Sequence, residues 1–127
     1  QVEVWDDLRG IWLVLTPEEW VRRHLIACLV AHCGAPARRI VQEYAVALNG
    51  QPQRADVVVV DDAGAPLLLA ECKAPAVKID ARVLDQAVRY NSVLGARYLV
   101  LTNGLTHRCY ACSPERGYAA LEHFPRL

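Results

Sequence analysis

The order of helix and strand signals predicts an α/β (α+β) domain whose mixed central sheet is flanked by helices. Three observations carry this prediction. Residues 55–60 (ADVVVV) and 66–73 (PLLLAECK) are consecutive strand candidates with long apolar runs that occupy both faces, so they belong in the middle of a covered sheet. Two segments with helix start and stop signals, opening at Thr16 and at Asp80, lie before and after them. The chain has 127 residues, 54% of them hydrophobic and 22% charged, which suits one globular core and is too short for two.

Taken in order, residues 1–10 read as a lead-in and 11–15 (IWLVL) as a short strand or extended segment. Thr16 is placed to cap a helix, with Pro17 at its first position and Glu19 three residues on to close a capping box. Val21, Leu25, Cys28 and Leu29 recur at helical spacing, with Glu18 on the same face. This helix is expected to reach Cys33 and stop at Gly34, with Pro36 beyond. Residues 40–48 form the first strand; Asn49-Gly50 starts a turn that Pro52 is expected to prolong into a loop of several residues. After the two central strands, Pro75 ends the sheet and 80–95 forms a second helix between Asp80 and Gly95. Strands at 97–102, 106–112 and 118–124 complete the order helix, three strands, helix, two or three strands.

Fourteen basic and fourteen acidic residues cancel, so any attraction for a polyanion must come from a local patch. No apolar run approaches the ~18 residues of a membrane helix, and no signal segment opens the chain. A chain that begins at Gln1 and has no Met is expected to be trimmed, processed or a fragment. Five cysteines, an odd number, fit a reduced cytoplasmic setting better than a disulfide framework. Cys109-Tyr-Ala-Cys112 has CxxC spacing and points weakly to a zinc or thiol-based regulator, but the second pair a zinc knuckle needs is missing.

The chemistry concentrates at the end of the third strand. Glu71 and Lys73 are two apart and share a strand face, at the tip of a run too apolar to hold isolated charges. Asp56 opens the neighbouring strand, and a hairpin turning near residue 63 brings it within a residue or two of Glu71. Two converging carboxylates repel, and a divalent cation relieves that repulsion. Magnesium needs only one or two carboxylates, and the Cys72 backbone carbonyl could add another oxygen. Lys73 is then placed to serve the attacking water or the phosphate charge. The duller reading is an ion pair at a strand end, worth little.

Asp56, fourteen intervening residues and then Glu71-Cys72-Lys73 resemble the PD-(D/E)xK nuclease motif on its αβββαβ order, with Ala55 where that motif has proline. The pieces TPEEWVRRHLI, RADVVVVD, LLLAECKAP, DQAVRYN and YLVLTNG together resemble the N-terminal nuclease domain of type I restriction enzyme R subunits, over residues 12–125. Gln86 and Tyr90, one helical turn apart, match the QxxxY motif of that group.

The resemblance implies a restriction endonuclease-like fold filling residues 1–127 and hydrolysis of nucleic acid, with Mg2+, or Mn2+ as a substitute. It implies metal binding by Asp56 and Glu71 and support of the site by Gln86 and Tyr90. It also implies a further acid from the first helix, Glu18 rather than Glu19 because Glu19 has the capping role. Glu43, in the first strand, is a candidate fourth acid, though a solvent-facing strand residue is the favoured reading, and Trp20, Tyr44 and Tyr98 are expected in the core or an interface. A modest basic excess over residues 71–97, with Arg54 beside Asp56, nominates Arg54, Lys78, Arg82 and Arg89 as DNA contacts, extended by Arg22, Arg23, Arg38 and Arg39. Expected partners are DNA and either a second copy, as a homodimer, or a partner protein, with no membrane. The rival is a nuclease-fold module that binds DNA or a protein without cutting.

Overall fold

A computed structural model describes residues 1–127. Helices α1 (Pro17–Ala31) and α2 (Ala81–Leu94) cover opposite faces of a six-stranded sheet. Its strands are β3 (Ile40–Leu48), β4 (Gln51–Val60), β5 (Pro66–Cys72), β6 (Tyr98–Thr102), β7 (His107–Ser113) and β8 (Gly117–Leu121), in that spatial order. Only β5 and β6 run parallel; α2 makes the crossover between them, and every other neighbouring pair is antiparallel. The expected mixed sheet flanked by helices is therefore present.

The apolar runs of β4 and β5 are two-faced because they sit in this sandwich. Val57, Val59, Leu68, Ala70 and Cys72 pack under Val21, Leu25 and Leu29 of α1. The alternate residues Val58 and Leu69 pack under Ala87 and Tyr90 of α2, joined by Leu99 and Leu101 of β6. Helix α1 is capped as expected by Thr16, whose Oγ1 accepts from the Glu19 N–H at 3.0 Å. It ends at Ala31, two residues before Cys33, and Gly34 (φ 80°) turns the chain out of it. Helix α2 keeps both predicted caps. Asp80 Oδ1 accepts from the N–H groups of Arg82 and Val83, and Gly95 takes the left-handed conformation.

Two local expectations change. The link between β3 and β4 is a two-residue turn, Asn49 (φ 51°) and Gly50 (φ 74°), rather than a longer loop. Pro52 lies inside β4 opposite Ala47, where β4 extends beyond β5 and no second neighbour needs its missing N–H. The 1–10 lead-in contains strand β1 (Glu3–Asp6), paired with β2 (Ile11–Val14). This hairpin is tied to the domain through buried Asp6, which accepts from Arg9 at 2.5 Å and Gln42 at 3.1 Å and pairs with Arg23 at 2.9 Å. Those cations hold its carboxyl below the usual range although burial opposes that. No helix is long and apolar enough to cross a membrane.

Candidate active site

The backbone ladder between β4 and β5 ends at Val57–Ala70. Beyond it, side chains make the next two hydrogen bonds. The Asp56 N–H donates to Glu71 Oε2, and Asp56 Oδ2 accepts from the Cys72 N–H, both at 2.8 Å. The two acids are thus cross-strand neighbours, a residue closer than the sequence estimate placed them, with one oxygen of each free of a strand N–H. On the other side of β5, the Lys73 N–H donates to the Thr102 carbonyl at 2.9 Å, which fixes the lysine just past the strand end. Asp56 and Glu71 meet at the edge where the strands part, and the Lys73 charge is near enough to act on Glu71.

Burial and mutual charge make this pair hard to ionise fully. Glu71 is 4% exposed, and burial, followed by the Asp56 charge, pushes its carboxyl up to about 8. The Asp56 N–H and Lys73 pull in the other direction without prevailing. Asp56 is also raised, by burial first and then by the nearby charges of Glu18 and Glu43. The two carboxylates therefore titrate as a pair, and ionisation of both is opposed.

The first-helix acids divide their roles differently from the sequence expectation. Glu18 is exposed, not inward-facing, yet it lines a polar cleft of about 220 Å³ shared with Thr16, Glu43, Asp56 and Cys72. Glu19 is the buried one. Its carboxylate does not complete the capping box but grips Arg22 at 2.5 and 2.8 Å and Arg23 at 3.1 Å. Arg22 in turn reaches Glu43 Oε1 at 2.6 Å. Despite burial, these hydrogen bonds raise the Arg22 guanidinium above its ordinary pKa. Arg22 and Arg23 are consumed in this network, and Arg39 pairs with Asp62, so the proposed extension of the basic surface is reduced to Arg38.

Glu43 does more than face solvent: its side chain is 38% exposed, yet it binds Arg22 and lines the cleft with Asp56. It stands opposite Asp56, between the Gln42–Val57 and Tyr44–Ala55 pairs, and its φ of 55° interrupts the ladder there. A non-glycine residue in that conformation is strained, and such strain gathers at functional sites. The signal was in the sequence. Treating Asn49-Gly50 as a two-residue turn sets the register and puts Glu43 opposite Asp56.

On the α2 side, Tyr90 is buried and its hydroxyl has long contacts with Gln86 Nε2 (3.5 Å) and Gln53 Oε1 (3.4 Å). Burial, then the Glu71 and Asp56 charges, raise its pKa, so it feels the acids without bonding to them. Gln53 was not singled out in the sequence, where it falls between the expected loop at 49–52 and the strand expected from residue 55; it lies within β4. Arg54, Lys78, Arg82 and Arg89 are all exposed; Arg82 has only a 3.7 Å contact with Asp80.

No three His, Cys, Asp or Glu side chains meet at one point, so no cage of protein ligands exists. A magnesium ion does not require one: two adjacent carboxylates, each with a free oxygen, and a nearby backbone carbonyl suit an ion that keeps several waters. Two buried carboxylates held side by side by strand N–H groups, with no arginine or lysine bonded to either, are a donor pair short of positive charge, and the residues fit the ion in that sense. Cys109 and Cys112, by contrast, point to opposite faces of β7, into different core clusters, and burial pushes each up to about 11. They are not a CxxC ligand pair.

Residues 17–125 match the family described as Type I restriction enzyme R protein N terminus (HSDR_N), and the chain belongs to that family. Its fold is similar to that of a fragment assigned to the HsdR subunit of a type I restriction enzyme from Vibrio vulnificus YJ016, with a TM-score of 0.64 at 20% identity. That alignment covers 88% of this chain and 24% of the other, so this chain spans about a quarter of that relative. A search of curated proteins gives no match.

Proposed function

We propose that this domain is a nuclease that uses magnesium, or manganese in its place, to hydrolyse phosphodiester bonds in DNA within a restriction system. The observation that carries this reading is the reciprocal hydrogen bonding of Asp56 and Glu71, which holds two carboxylates side by side next to Lys73. Membership of the R-protein family supports the restriction context.

Asp56, Glu71 and the Cys72 carbonyl would hold the ion, with Glu18 reaching the same cleft. When bound, magnesium supplies positive charge that offsets the developing charge on the phosphate. Lys73 orients the attacking water and places a cation beside the reacting phosphorus. Tyr90 and Gln86 brace the α2 side and approach the DNA backbone. Arg54, Lys78, Arg82 and Arg89 hold flanking phosphates weakly and in a salt-dependent way. Target choice, in a chain of zero net charge, falls to a protein partner or a second copy.

Incubation with plasmid and single-stranded DNA in Mg2+ or Mn2+, beside Lys73→Ala, tests the reading. Cleavage by the wild type that the variant lacks supports it; equal cleavage by both sinks it. The rival is a module that binds without cutting, and the absence of a three-ligand cage is the observation on its side. Metal-dependent DNA binding with no cleavage by either protein would favour that rival.

A further inference from the structure

A second concavity, of about 430 Å³, lies where α1 faces the end of β6 and the start of β7. Its size falls in the range of small-ligand pockets. Two aromatic pairs line it: Trp20 with His24 from α1 (centroids 4.4 Å apart), and His107 with Phe124 (5.5 Å). Trp20 meets His24 edge-on and is still 50% exposed, which leaves part of the indole open to a ligand. Thr102 forms part of the wall, and its Oγ1 engages His107 Nδ1 at 2.7 Å, so the imidazole orientation is fixed while Nε2 has no protein partner.

The pocket adjoins the candidate active site along the chain, although Asp56, Glu71 and Lys73 form none of its walls. Thr102 is the residue whose carbonyl receives the Lys73 N–H, and Pro75, two residues after that lysine, is also in the wall. Two residues of extended chain span only ~7 Å. A flat, partly apolar ligand with polar edges is what aromatic faces beside a fixed imidazole nitrogen recognise, and a nucleobase has that form.

We infer that this pocket receives the base of an unpaired nucleotide adjoining the phosphate held at Lys73, with Trp20 as the stacking surface. The inference rests on the nuclease reading and deepens it. A base can enter only from a single strand or after leaving the duplex, so the chain engages DNA that is single-stranded or locally opened. Stacking on an aromatic face is sequence-tolerant, and the pocket therefore senses strandedness rather than sequence.

The test uses the chain with Trp5→Phe and Trp12→Phe, leaving Lys73 in place and Trp20 as its one indole, and a twelve-nucleotide oligothymidylate in EDTA, so that binding is read without cleavage. Binding is followed by anisotropy of a labelled oligonucleotide and by Trp20 fluorescence with an unlabelled one. Saturable quenching that tracks the anisotropy curve is expected. Trp20→Ala should weaken binding roughly tenfold and Trp20→Phe should restore most of it, since either ring offers a face. An abasic site at one position of the oligonucleotide should weaken binding to the Trp20 protein and leave Trp20→Ala unaffected. Binding without quenching, equal affinity for a blunt duplex, or no oligonucleotide binding overturns the inference. Plasmid cleavage by the wild-type chain is read separately, so the pocket can fail while the nuclease reading stands.

Discussion

Asp56 and Glu71 are locked together through each other's strands: Glu71 Oε2 accepts from the Asp56 N–H, and Asp56 Oδ2 accepts from the N–H following Glu71. The two side chains continue the sheet past the last backbone rung. Their positions are therefore set by folding, before any cation arrives. Burial first, and the repulsion between them second, push the Glu71 carboxyl up to about 8.

That shift makes the metal-free protein less stable as pH rises. The folded chain keeps a proton on Glu71 that the unfolded chain releases near its ordinary value of 4.5, so stability is full below 4.5 and declines up to about 8. The loss is on the order of a few kcal/mol. In EDTA, thermal unfolding should show Tm lower at pH 8.5 than at pH 5 by roughly 10 °C. Glu71→Gln, which keeps an acceptor for the Asp56 N–H, should flatten that dependence. An unchanged slope in this variant would remove Glu71 as its source.

Magnesium should reverse the same loss. Binding to the folded state alone raises stability by RT ln(1 + [L]/Kd), about 1.4 kcal/mol at ten times Kd, or roughly 3–5 °C in Tm. Because the ion competes with the Glu71 proton, the shift at fixed millimolar Mg2+ should grow from pH 6 to pH 8 and then level. Asp56→Ala should abolish it. A full shift in Asp56→Ala, measured by calorimetry or dye melting, would place the ion elsewhere.

Lys73 separates binding from chemistry. It lies beyond the acid pair and is not one of the groups that would hold the ion. Lys73→Ala is expected to keep the magnesium-dependent Tm shift while cleavage of plasmid DNA falls by at least about 100-fold, the usual size of a lost transition-state contact. Lys73→Arg should recover only part, since a guanidinium does not reproduce a compact ammonium. Loss of the Tm shift in Lys73→Ala would mean that the lysine shapes the metal site itself.

How much of this was legible beforehand follows from what each residue depends on. Both helices were visible because their ends are local chemistry: Thr16, Asp80 and Gly95 do in the fold what they signal in sequence. The acid pair was visible because charges at the end of an apolar strand are conspicuous, and the hairpin count came within a residue. Gln53, and the pairing of Arg22 with Glu43, were missed because each owes its position to a partner from another element. Pro52 misled for the same reason; only the sheet order shows that β4 outruns β5 there. Glu18 and Glu19 were confused by helical phase, since adjacent positions differ by 100° and the cleft lies between the face that packs and the face that does not.

The network around Arg22 gives the sharpest structural prediction. Arg22 is nearly buried and donates to two acids from different elements, Glu19 on α1 and Glu43 on β3. Arg22→Met would leave Glu19 buried with Arg23 as its one cation and Glu43 without a partner at a strained backbone position. Removing one member of a buried ion pair costs about 3–5 kcal/mol, because the remaining charge is not resolvated. A Tm drop of roughly 10 °C at pH 7 is expected. Glu19 is held below its ordinary 4.5 in the wild type, though burial opposes this, so its stabilising contribution exists above that pH and fades below it. The deficit of Arg22→Met should therefore shrink between pH 5 and pH 3.5, where the unpaired carboxylates take up protons. A deficit constant across that window would show that Arg22 acts through packing of its side-chain stem rather than through its charge.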